Sequence, residues 1–482
     1  MGIIQDANLM ETRRQFFGRG RNALGYGALA SLLGRHPLVS SANVYSPHRV
    51  PKAKNVIYLH MVGGPSQIDL FDSKPGMTDW FDKDLPDSIR QGQRLTTMTS
   101  GQKRFPIAPS KFEFSTVGQA GMTMNTELLP WTAKCVDDMA FIRSMHTEAI
   151  NHEPAICHMQ TGSQVTGRPC IGSWASYGLG AENANLPTFV VLVAEPTNKE
   201  QIQAISARLW SSGFLPGQHA GVAFRSKGDP VLYINNPDGL PETLRRKQLD
   251  GIKRLNERTF ADLGDQETRT RIEQFEMAYR MQTSVPELMA VSGEPESTYQ
   301  LYGEEARKPG TFAYNVVLAR RLVERGVRFV QLYLNNWDHH GNLTGRLPMQ
   351  TNDVDQATYG LIQDLKRRGL FDETMIIWGG EFGRTIYCQG GLSRNNYGRD
   401  HHPRCFTMWM AGGGVKGGTV YGETDEFSYN IVRDPVHVRD FHATILHQLG
   451  MDHQKFTYRY QGLDQKLTGV EEDAKVVDAL VG

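Results

Sequence analysis

The feature that most constrains this chain is a recurring order. A short run of large apolar residues is followed at once by a polar cluster rich in His, Asp and Glu. Val56-Ile57-Tyr58-Leu59-His60-Met61-Val62 ends at Gly63-Gly64-Pro65, with Ser66 and Asp69 close behind. Ala140–Met145 leads to His146 and then Asn151-His152-Glu153. Val327–Leu334 runs into Asn335-Asn336-Trp337-Asp338-His339-His340-Gly341-Asn342. Thr374–Trp378 runs into Gly379-Gly380-Glu381-Phe382-Gly383-Arg384. Gly398-Arg399-Asp400-His401-His402-Pro403 stands just before the run that starts at Cys405. Short runs of this kind, bounded by Gly and Pro, read as buried strands.

Helical spacing separates several of these runs. It predicts helices near Thr126–Met139, over Pro154–Gln160, over Phe312–Arg325 closed by Gly326, over about Asp353–Arg368 closed by Gly369, and over Pro435–Leu449. Residues 73–120 read as a long polar loop. Strands alternating with helices imply an α/β fold with a central, largely parallel sheet flanked by helices. In such sheets ligands bind beyond the carboxyl ends of the strands. The polar clusters fall around predicted strand ends. Imidazoles mixed with carboxylates suit zinc, manganese or iron, so a divalent metal ion is expected there. A His-His pair in a loop is by itself more often a hydrogen-bonding feature, and it is the convergence that points to a site. Gly412-Gly413-Gly414 lacks the Lys-Ser/Thr of a phosphate loop, and Gly162-Ser163-Gln164 is not a nucleophile elbow.

With 482 residues the chain can bury a large core. Lys plus Arg and Asp plus Glu each total 52, a balance that argues against a nucleic-acid partner. No apolar run reaches the roughly 20 residues of a transmembrane helix. Residues 1–42 read as an export signal of the twin-arginine type. Arg13-Arg14 precede Phe16-Phe17, a weakly apolar stretch runs over Ala23–Leu33, and small residues Ser40, Ser41 and Ala42 offer a cleavage region. The mature protein is expected to start near residue 43 and to be periplasmic or extracellular. Residues 50–470 then form a single domain, with a charged helical insertion near 241–292. The five cysteines make no CxxC pair and read as small buried residues.

At these segments the chain resembles a family of exported bacterial proteins, domain of unknown function 1501, often labelled sulfatase-like. The matching stretches are "HMVGGPSQIDLFDSKPGM", "NHEPAICHMQTGS", "GVRFVQLYLNNWDHHGN", "IIWGGEFGRT", "GRDHHPRCFTMWMAGGGVKGG" and "DFHATILHQLG". The family is placed in the alkaline-phosphatase-like superfamily, where metal ions activate a Ser, Thr or formylglycine nucleophile. The resemblance implies an alkaline-phosphatase/sulfatase-like fold. It also implies that Asp338, His340 and His401 hold a metal, with His402 as an alternative to His401. Glu381 stands where the superfamily has an Asp, and Phe382 where it has a ligand His. Val62 stands near an expected ligand Asp. His152 stands where the nucleophile is expected, ahead of "MQTG", and no formylglycine cysteine motif occurs. The catalytic candidates are therefore His152 as acid or base, Glu381 as ligand or orienting carboxylate, and Arg384 as partner of an anionic substrate group. The expected activity is metal-dependent hydrolysis of a phosphate or sulfate ester, of a small molecule or a polysaccharide. The alternative is a catalytically silent member that binds carbohydrate or an envelope protein partner.

Overall fold

The computed structural model describes residues 47–482 apart from 201, 232–235, 237–238 and 470–472. The predicted export signal lies outside these residues. The strands that build the main sheet are β1 (Asn55–Met61), β2 (Met139–His146), β3 (Phe189–Ala194), β4 (Val222–Phe224), β5 (Phe329–Leu334) and β6 (Thr374–Gly379). β7 (Gly383–Cys388) and β8 (Arg399–His402) form a separate antiparallel ribbon. β9 (Phe406–Ala411), β10 (Thr419–Tyr421) and β11 (Val436–His437) return to the sheet. The strand order is β10-β2-β9-β6-β1-β5-β3-β4, and β11 also pairs with β2.

β1 pairs in parallel with β5 on one side and β6 on the other, with His60 level with Tyr333 and Gly379. All seven residues of β1 are buried, as a central parallel strand covered on both faces requires. Its side chains alternate between two cores. Ile57, Leu59 and Met61 face one hydrophobic layer, and Val56 and Tyr58, with Val62 just past the strand, face the other. The first layer is closed by α5 (Phe312–Glu324) and α6 (Leu343–Arg367). The second is closed by α1 (His152–Thr161), α2 (Ile171–Leu179) and α7 (Val438–Gln448). The protein is thus an α/β fold with a large, mostly parallel sheet between helices. Two long helices, α3 (Glu242–Leu263) and α4 (Gln266–Met289), follow β4, and Leu249 is the buried residue of α3.

Three elements differ from expectation. β9 runs antiparallel to β2 and β6. It arrives from the β7–β8 ribbon and not through a helical crossover, which a parallel neighbour would need. α6 begins ten residues before the predicted Asp353 and contains Pro348. Leu343, Leu347, Gln350 and Val354 continue its buried stripe, and Gln350 donates to the Asn335 carbonyl at 2.9 Å. Packing therefore overrides the local proline signal. The predicted helix near 126–139 is a 3₁₀ segment, Thr132–Asp138, kinked at Cys135. The Asp355 carboxylate accepts from the Trp131 and Thr132 amides at 2.9 and 2.7 Å and fixes its start. All five cysteines are buried and unpaired. Among the described residues no helix is long and apolar enough to cross a membrane.

Candidate metal centre

Because β1, β2, β5 and β6 run the same way, their carboxyl ends share one edge of the sheet. Four side chains converge there: His152, Asp338, His340 and His401 offer ligand atoms that all lie within 4.8 Å of one another. Asp338 and His340 follow β5. Their loop is pinned against the turn after β1, where the Trp337 amide donates to the Val62 carbonyl at 3.0 Å. Gly63 makes this approach possible. A Cβ there would lie 2.5 Å from the Asp338 nitrogen, and its φ of +119° is one that L side chains rarely adopt. His152 is the first residue of α1, and His401 sits on β8 opposite Arg384 on β7.

The three imidazoles share one arrangement. Each Nε2 faces the Asp338 carboxylate, at 3.2 Å for His152, 2.8 Å for His340 and 3.5 Å for His401. Each Nδ1 is held from behind by an acceptor: Glu381 Oε1 at 2.6 Å, Gln389 Oε1 at 2.6 Å and the Ile150 carbonyl at 2.8 Å, respectively. Glu381 already accepts from the Gly63 amide at 3.0 Å, and the Ile150 carbonyl can only accept. The ring protons of His152 and His401 therefore belong on Nδ1, and their Nε2 lone pairs point inward. This is the tautomer of a metal-ligating histidine held by its outer partner. The Nε2 atoms of His152 and His401 are buried and make no hydrogen bond. Lone pairs aimed at a carboxylate repel it unless a cation lies between them. The residues present therefore fit a divalent ion with three nitrogen ligands and one oxygen ligand.

Charge agrees. Burial pushes the Asp338 carboxyl up, but Arg384 and the surrounding histidines outweigh it and hold the group far below the usual carboxylate range. Burial likewise opposes ionisation of Glu381, and His152 reverses it, so its pKa is lowered. His401 is pushed down to about 4 by burial, so it is neutral at pH 7 and free to ligate. Burial lowers His152, but the Asp338 and Glu381 carboxylates beside its ring outweigh that cost and its pKa is raised. Two carboxylates and one guanidinium leave the site short of positive charge. A proton on His152 or a divalent ion supplies it.

The candidates drawn from sequence fall into place unequally. Asp338, His340 and His401 meet. His152 joins them in the cluster, beyond the acid–base part expected of it. Glu381 stands behind His152 and not in the cluster, 3.7 Å from the buried His60. Arg384 differs from expectation. Its guanidinium is buried, donates to the Gly63, Gly64 and Arg399 carbonyls, and pairs with Asp338 at 2.5 Å. Four of its five N–H groups are taken by backbone carbonyls and Asp338, so from this buried position it fixes Asp338. His402 turns away to the Tyr429 carbonyl at 2.7 Å. Phe382 packs its ring 4.5 Å from that of His401. Asp69 is paired with Arg399, and Asp400 accepts from Thr96 and Thr99, so neither belongs to the site. Sequence reading missed Gln203, which donates to Asp338 Oδ2 at 2.9 Å, and Gln389. Both are lone polar residues in loops and carry no motif.

Solved structures to which this chain is similar include Ps i-CgsB, at 11% identity over 83% of this chain and 72% of that one, with a TM-score of 0.35. The sulfatase PsFucS1 from Pseudoalteromonas sp. is 12% identical over 95% of this chain and 76% of its own, with a TM-score of 0.33. The alkaline phosphatase from the Antarctic bacterium TAB5 is 10% identical over 77% of this chain and 94% of its own, with a TM-score of 0.30. No curated protein matches the sequence. The family model described as "Protein of unknown function (DUF1501)" matches residues 53–481, and the chain belongs to that family.

Proposed function

We propose that the protein is a metal-dependent hydrolase of phosphate or sulfate esters, exported through the twin-arginine route. The observation that carries this reading is the set of three Nδ1-tethered imidazoles aimed, with Asp338, at one point on the carboxyl edge of the sheet. His152, Asp338, His340 and His401 would hold zinc, manganese or iron. Such an ion, when bound, acts as a Lewis acid on an ester oxygen and lowers the pKa of water. Glu381 keeps a proton on His152 Nδ1, Gln389 holds the His340 ring in place, and Arg384 keeps Asp338 ionised and fixed in direction. All four clustered residues are taken up as ligands in this reading and none is Ser, Thr or Cys, so water is its nucleophile.

A second reading rests on Arg384. With its guanidinium buried and four of its five N–H groups engaged by the protein itself, Arg384 is poorly placed to hold the anionic part of an ester. That favours a silent member binding carbohydrate or an envelope protein. One experiment separates the two. Purified protein is assayed for zinc, manganese and iron, reloaded with each, and offered aryl phosphates and aryl sulfates. Hydrolysis that disappears in His340→Ala and His401→Ala supports the first reading. Bound metal without hydrolysis of either ester class overturns it in favour of the second.

A further inference from the structure

A second cluster lies at the other end of α1. Glu148 is in the loop after β2, His158 is in the last turns of α1, and His437 ends β11 and caps α7. Glu148, His158 and His437 each offer a ligand atom, and these atoms lie within 4.8 Å of one another. Glu148 Oε1 is 2.7 Å from His437 Nε2, and Oε2 is 3.6 Å from His158 Nδ1. We propose that Glu148, His158 and His437 form a second divalent-cation site of the zinc type, separate from the cluster around Asp338.

Four observations carry this. The donor set is two imidazoles and one carboxylate, with a fourth position left for water. His158 is 1% exposed, and its Nδ1 is the ring nitrogen that faces Glu148. The close contacts of that Nδ1 are the Thr147 hydroxyl at 3.1 Å and the Glu148 carboxylate at 3.6 Å. Glu148 is half exposed and opens the site to solvent, which gives an ion a path in. The three residues come from three separate elements, so an ion there ties the end of β2, α1 and the start of α7 together.

The His146 ring is 5.1 Å from that of His437, and Arg404 and Arg439 bear on the cluster from the loop before β9 and from α7. One bond must change on loading. His437 Nδ1 accepts from the Arg439 amide at 3.2 Å, which leaves the ring proton on Nε2 facing Glu148. Coordination through Nε2 moves that proton to Nδ1 and gives up this long cap bond. The companion bond of the cap, from the His437 amide to Asp440, is untouched at 3.1 Å. The consequence for the first cluster is mechanical. His152 and His158 are six residues apart on one helix, about 9 Å along its axis. An ion at His158 anchors the far end of the helix whose first residue enters the Asp338 cluster.

The test uses the full chain stripped by a chelator and titrated with Zn²⁺ alone. Glu148→Gln and His158→Gln remove ligands, and His437→Asn removes one while keeping a residue that caps helices well. Each variant is expected to bind one Zn²⁺ fewer than the wild type, or to bind its weaker equivalent at least about tenfold less tightly. This difference is read against the wild type, so it stands whether or not the Asp338 cluster binds. Equal stoichiometry and affinity in wild type and variants overturn the proposal. Crystals of the wild type soaked in Zn²⁺ give a reading that needs no variant. An anomalous peak between Glu148, His158 and His437 is expected, and its absence while a peak appears elsewhere overturns the site.

Discussion

His152 and Glu381, 229 residues apart in sequence, meet with Nδ1 2.6 Å from Oε1, and Glu381 is in turn held by the Gly63 amide. A carboxylate behind an imidazole fixes its tautomer and strengthens it as a ligand. Glu381→Gln places an amide where two donors, the Gly63 N–H and the His152 Nδ1–H, need acceptors. Zinc affinity is expected to fall about 10–100-fold, measured by competition with a coloured chelator. An unchanged affinity would remove Glu381 from the support of the centre.

Gly398 has a steric part in the same centre. A Cβ added there would lie 1.8 Å from the His340 carbonyl oxygen, whereas at Gly391 nothing lies within 4 Å. Gly398→Ala is therefore expected to cost about 1–3 kcal/mol in urea unfolding and to weaken zinc binding by moving His340. Gly391→Ala is the control and should change neither. Equal behaviour of the two variants would show that His340 is not positioned by this contact.

Asp69 and Arg399 form a fully buried ion pair, with Asp69 Oδ2 2.7 Å from Arg399 Nε. Burial alone would push the Asp69 carboxyl up, but Arg399, Ser66 and Ser110 outweigh it and its pKa is lowered from 3.8. A depressed folded pKa contributes stability above the unfolded value that is lost as pH falls through the folded one. Asp69→Asn leaves a guanidinium buried without its partner and is expected to cost about 3–5 kcal/mol at pH 7. The gap between wild type and variant should narrow as pH falls below 3.8, the ordinary value of the group. A gap that stays constant down to the acid unfolding of the wild type would count against the pair as its source.

Export is tested at the amino terminus. Replacing Arg13 and Arg14 together by Lys is expected to leave the precursor in the cytoplasm, detected by fractionation and immunoblotting. Undiminished export of that variant would mean that another route carries the protein.

Much of this architecture was legible in the linear sequence. The apolar runs at 55–61, 329–334 and 374–379 were long enough and uniform enough to be buried parallel strands, and hydrophobic burial is a property of the run itself. The position of Asp338 and His340 just past a strand end followed from the same reading, since a parallel sheet brings its carboxyl ends together. His401 needed the resemblance as well, because its strand belongs to the β7–β8 ribbon and not to the sheet.

What the tertiary structure alone decided is which polar groups point inward and with which atom. Arg384 looked like an anion-binding residue, yet the close approach of Gly63 and Gly64 gives its guanidinium backbone carbonyls to satisfy. His401 and His402 are adjacent and chemically identical. Alternation along β8 sends one to Asp338 and the other to the Tyr429 carbonyl. Gln203 and Gln389 have no local signature, because their partners lie 135 and 49 residues away. Residue type and periodicity determine where a chain is buried and where its chemistry collects. The direction of a lone pair depends on which distant acceptor takes the proton on the other side of the ring, and only folding brings that acceptor into reach.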